Sequence, residues 1–102
     1  MRKCAEGELA PEKSFYFTGA ENKLHLRAHN LMTFIQLSDG IDDETWLHHL
    51  KQHDYSNWIR DAIADDELSD AVRAAENDES SDTRTARNNI IEAIRERYTA
   101  PA

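Results

Sequence analysis

Four aspartate-rich breaks divide most of the chain into short apolar stripes: "IDDE" (41–44), "HDY" (53–55), "DDE" (65–67) and "SSD" (80–82). A side-chain oxygen just ahead of a stripe can accept from a backbone N–H two or three residues on, so each break reads as a helix start. The capping candidates are Asp42 or Asp43, then Asp54, then Asp65, then Ser81 or Asp82. Between them the apolar residues recur at three and four. Leu31, Phe34, Ile35 and either Leu37 or Ser38 make one face. Trp46, Leu47 and Leu50 make the next, and Tyr55, Trp58, Ile59 and Ala62 another. Leu68, Ala71, Val72 and Ala75 follow, and Arg87, Ile90, Ile91, Ile94 and Tyr98 close the series. Gly40 stands where a helix end favours a left-handed residue. Helices this short are unstable alone and must be packed together. The pattern predicts a mostly α fold, a compact bundle of four to five short helices.

The N-terminal part has a different period. "SFYFTGAENKLHL" alternates at Phe15 and Phe17 and again at Leu24 and Leu26, around the turn chemistry of "TGAEN". That predicts a β-hairpin or an extended aromatic segment. A lone hairpin is marginal in water, so its aromatic face must rest on the helices or on another protein. Residues 1–13 show no period and read as a flexible tail or linker, 14–98 as a single helical domain, and 99–102 as a C-terminal tail.

The chain has 102 residues and a net charge of −8. Residues 61–82 carry one arginine against nine carboxylates. An acidic chain is repelled by phosphate backbones, which argues against nucleic acid as a partner. A basic protein could face the acidic run, but a solvated helix face explains it without a partner. No apolar stretch reaches the ~20 residues of a membrane span, and none behind Met1 resembles a secretory signal. Cys4 is the only cysteine, so no disulfide forms within the chain. A cytoplasmic location, with no membrane association, is the expectation.

The densest chemistry is "DETWLHHLKQHDYSNWIRDAI" (43–63). His49 and His53 stand four apart, which puts both rings on one helix face and, with Asp54 or Glu44, could make a metal site. The zinc-protease signature is absent, because Leu50 rather than glutamate follows His49. The competing reading has His53 exposed or at a helix end, and His49 partly buried and hydrogen-bonded. No serine sits in a nucleophile elbow, Cys4 lacks local support, and Gly7, Gly19 and Gly40 are too scattered for a phosphate loop. No catalytic residues are assigned and no cofactor is expected. Trp46 and Trp58, at helical spacing within apolar stripes, read as core rather than as ligand platforms.

The order "AHNL" (28–31), "TWLHHL" (45–50), "HDYSNWI" (53–59) and "DDEL" (65–68) resembles a small helical domain of unknown function found in bacteria and archaea. That domain stands alone or beside haloacid-dehalogenase-type phosphatase domains that act on sugar phosphates. The likeness spans about residues 15–76 and runs through Asn30, Leu31, His49, Asp54, Tyr55, Trp58 and Leu68. His53 stands where the pattern has Asn, and Ala64 where it has Gly. The resemblance implies an accessory module and no reaction of its own. Asn30, His49, Asp54, Tyr55 and Trp58 are then the motif residues. The expectation is that Asn30 and His49 join neighbouring helix ends through the backbone, Asp54 caps the third helix, and Trp58 fills the core between them. The preferred function is a non-catalytic accessory or protein-interaction module with a protein partner, a phosphatase being the one implied. "KSFYF" is its favoured docking edge. The alternative is a small metal- or ligand-binding helical protein using His49, His53 and Asp54. A homo-oligomer is left open.

Overall fold

Helices begin where the sequence supplies an acceptor for their first orphan N–H groups. In the computed structural model, which describes residues 3–4, 8–19 and 26–99, four side chains do this. Asn30 Oδ1 accepts from Thr33 N (2.7 Å), Asp42 Oδ2 from Thr45 N (3.0 Å), Asp65 Oδ1 from Leu68 N (3.0 Å) and Asp82 Oδ1 from Thr85 N (2.7 Å). They open α1 (Leu31–Gly40), α2 (Asp43–Lys51), α4 (Asp66–Glu76) and α5 (Thr83–Arg97). Between α2 and α4 lies α3 (Asp54–Trp58), which widens into a π-helical turn over Ile59–Ile63. The fold is mostly α, as the spacing predicts.

Two of these helices end without a left-handed glycine, against the expectation at Gly40. Gly40 is not left-handed. The end of α1 is held instead by Arg87, whose Nη1 donates to Ser38 O and Ile41 O, both at 2.8 Å. Its Nη2 reaches Asp43 Oδ1 at 2.8 Å, and its Cζ lies 5.1 Å from the Trp46 ring centroid. A cation on the last carbonyls replaces a glycine cap. At the other end, the π turn closes with Ala64, whose N–H donates to Ile59 O at 2.9 Å and whose φ is 61°.

The hairpin is present: β2 (Phe15–Phe17) pairs antiparallel with β3 (Leu26–Ala28), matching Phe15 with Ala28, Tyr16 with Arg27 and Phe17 with Leu26. Its alternation turns Phe15 and Phe17 inward and Tyr16 outward, while Leu26, although opposite Phe17, stays exposed. Leu24 and the second half of the expected turn lie outside the described residues. The aromatic face rests on the chain's own helices. Phe15 stacks on Tyr55 (5.3 Å), Phe17 on Phe34 (5.3 Å) and Tyr55 on Trp46 (4.2 Å), and Trp58 tilts against Phe34 (5.3 Å). Both tryptophans are core residues. Behind this cluster, α4 packs along α5 and against α3, burying Leu68, Val72, Ile90 and Ile94.

The described part of the predicted tail is held to the domain. Leu9 N donates to His29 O (2.7 Å), Pro11–Lys13 form a 3-10 turn, and Lys13 O accepts from Trp58 Nε1 (2.8 Å). A buried indole N–H needs an acceptor, and a segment without period supplies it from its backbone. A short parallel pairing of β1 (Lys3–Cys4) with β4 (Tyr98–Thr99) brings together the two ends read as tails. Among the described residues no helix is long and apolar enough to cross a membrane.

Candidate functional site

His49 lies in the last turn of α2 and is only 4 % exposed. Its ring is wedged edge-on against Phe15 (5.3 Å) and Phe17 (6.2 Å), so the hairpin covers it. Both ring nitrogens are engaged. The Gly19 N–H donates to Nε2 at 3.2 Å, and Nδ1 lies 2.8 Å from Asp54 Oδ2. Because Nε2 accepts, the proton sits on Nδ1 and is donated to the Asp54 carboxylate. One imidazole thus ties the hairpin turn, the end of α2 and the start of α3 together.

Gly19 is what lets the turn approach. Its φ is 70°, and a Cβ there would lie 3.2 Å from Thr45 Oγ1. Thr45 is itself fixed, since its hydroxyl donates to Asp42 Oδ1 at 2.7 Å. That hydroxyl, together with the Thr45 N–H, holds the Asp42 carboxyl below the usual range.

Asn30 caps its own helix rather than joining a neighbour. Asp54 does not cap α3, which corrects the expectation. The residue at the cap position is His53, in the left-handed region at φ 58° and without a side-chain cap bond. The Asp54 carboxylate turns back to His49 instead. The orphan N–H of Ser56 in the first turn of α3 is taken by Glu76 Oε2 at 3.2 Å, from the far end of α4. Tyr55 donates its hydroxyl to Trp46 O at 2.8 Å, and burial pushes its phenol far above the ordinary value. Trp58 bonds Lys13 O as described above.

The i, i+4 relation between His49 and His53 does not survive folding, because α2 ends at Lys51 and the left-handed turn at His53 redirects its ring. His53 Nε2 lies 2.6 Å from Asn77 Oδ1, at the end of α4. Asp54 stays with His49, and among the described residues no three His, Cys, Asp or Glu side chains gather to hold a metal. With a proton on one nitrogen and a bonded lone pair on the other, His49 cannot ligate or accept a proton without breaking a core contact. What this arrangement can do is fix geometry.

Sequence reasoning missed Gly19 as the partner of His49, Glu76 as the acceptor for Ser56 N–H, and Arg87 as the group that holds the end of α1. Only Gly19 carried a local signal, its place in "TGAEN". Ser56 and Ser69 were missed too: Ser69 Oγ donates to Ser56 O at 2.8 Å, stitching α4 to α3. The available clue was spacing, with Ser56 three residues before Ile59 and Ser69 three before Val72; both serines prove fully buried. A surface cleft is lined by Asp39, Asp43, Arg84, Arg87 and Asn88, none of them a motif residue. Comparison of the chain with family models, with curated proteins and with solved structures gave no match.

Proposed function

We propose that this chain is a non-catalytic accessory module that acts by docking to another protein, with a sugar-phosphate hydrolase of the haloacid-dehalogenase type as the partner the resemblance implies. The observation that carries the reading is the fate of the motif. Asn30, His49, Asp54, Tyr55 and Trp58 each place a polar atom on a partner inside the domain. Residues so engaged specify a fold rather than meet a substrate. The backbone also supports the resemblance. His53 and Ala64, the two departures from its Asn and Gly, are the two described non-glycine residues with positive φ. Asn and Gly are the residues that tolerate that region best, so the pattern's choices there have a physical reason. Phe15 and Phe17 belong to the core, which leaves the outer face of the hairpin, with the exposed Tyr16, as its docking surface.

The test mixes the purified chain with haloacid-dehalogenase-type sugar-phosphate hydrolases from the same genome. It reads co-elution and the rate of phosphate release. Stoichiometric co-elution with one hydrolase, weakened by Tyr16→Asp, is expected, with no phosphate released by the chain alone. Turnover by the chain alone that disappears in His49→Gln would overthrow the reading, as would the absence of any complex.

A further inference from the structure

The start of α3 is capped in trans. His53 offers no side-chain acceptor, so the third residue of the helix, Ser56, donates its N–H to Glu76 Oε2 at 3.2 Å. Beside this bond, His53 Nε2 meets Asn77 Oδ1 at 2.6 Å and Arg73 Nη2 donates to Asn57 Oδ1 at 2.8 Å. Three consecutive contacts therefore clasp the first turn of α3 to the last turn of α4. The clasp has a weak point: Glu76 Oε1 and Arg73 Nε are buried without a hydrogen-bond partner among the described residues. A carboxylate is also misplaced at the C-terminal end of α4, where the helix dipole is negative.

We propose that Glu76 makes this clasp proton-operated, holding α3 to α4 most firmly when its carboxyl is neutral and loosening the corner when it is ionised. The ionisable groups it faces are His53 from the turn before α3, Tyr55 on α3 and Arg73 on its own helix. Among the described residues neither α5 nor the π turn with Arg60 and Asp61, both packed on α4, adds a charge to that set. Burial pushes Glu76 above its ordinary value and outweighs the Ser56 hydrogen bond, His53 and Arg73, which favour the carboxylate. The folded state then binds the proton more tightly than the unfolded chain does. Stability falls as pH rises from about 4.5 through the raised folded value.

The experiment measures thermal melting of the full chain from pH 3.5 to pH 8, beside Glu76→Gln, and follows the Glu76 side-chain carboxyl carbon by NMR over the same range. The glutamine keeps an acceptor for Ser56 N–H and cannot ionise. The wild type is expected to lose melting temperature relative to Glu76→Gln as pH rises above 4.5, and the Glu76 carbon to titrate above 4.5. Parallel melting curves, or a Glu76 midpoint at or below 4.5, would overturn the proposal.

Discussion

α3 meets α2 on one side and α4 on the other, and the two corners are built from the same materials to different standards. At the α2 corner a buried histidine has both nitrogens partnered, one by the Gly19 N–H and one by Asp54, and aromatic rings enclose it. At the α4 corner a carboxylate and a guanidinium each keep one buried polar atom unpaired; on α2 the indole Nε1 of Trp46 does so, outside the His49 network. A satisfied buried network rigidifies what it joins, while an unpaired buried group costs about 1–3 kcal/mol and leaves the contact open to change. The first corner carries most of the motif residues. The second carries the group expected to respond to pH.

That contrast can be broken most strongly at His49. His49→Ala strands the Gly19 N–H, leaves Asp54 unpaired and opens a hole against Phe15 and Phe17. The expected loss is about 3 kcal/mol by urea denaturation. A loss below about 1 kcal/mol would mean that the network is not what holds the hairpin to the helices. Asn30→Ala removes a cap that serves one helix only, and should cost about 1 kcal/mol in the same assay.

Ala64→Gly should have the opposite sign. Its φ of 61° burdens alanine, and glycine relieves it, against some extra entropy in the unfolded chain. A gain of about 0.5–1 kcal/mol is expected, visible as a rise in melting temperature of a few degrees. A loss instead would show that the left-handed turn carries no strain. The smallest effect concerns acid. Hydrogen bonds from Thr45 lower the Asp42 carboxyl, and those from Thr85 lower Asp82. Their stabilisation is present above the ordinary value of 3.8 and lost as pH falls through the lower folded values. Asp42→Asn and Asp82→Asn should flatten the melting profile below pH 4, on the opposite side of the pH range from the Glu76 effect. Unchanged profiles there would remove these caps from the account.

What the sequence by itself determined is local. A cap reaches three residues and a helical stripe repeats every three or four, so the apolar faces were open to reading, Asp65 stood out as a cap, and the candidate pairs at two other breaks included Asp42 and Asp82, while the equally local cap at Asn30 was read as a link to a neighbouring helix. The alternation of Phe15 and Phe17 announced the strand, and the run of turn residues after it announced the reversal. The candidate site was half legible: the right residues were singled out, with two of their partners misassigned. Only the tertiary structure decided that Asp54 serves His49 instead of its own helix, and that Glu76 takes over the vacant cap from twenty residues away. It also decided that Arg87 reaches back 49 residues to end α1, and that Lys13 lies under Trp58. The reason is one of competition. An acceptor near a helix start can bond its own backbone or a neighbour's side chain, at similar energies of about 1 kcal/mol. Which wins depends on what packing brings within 3 Å, and no local pattern encodes that.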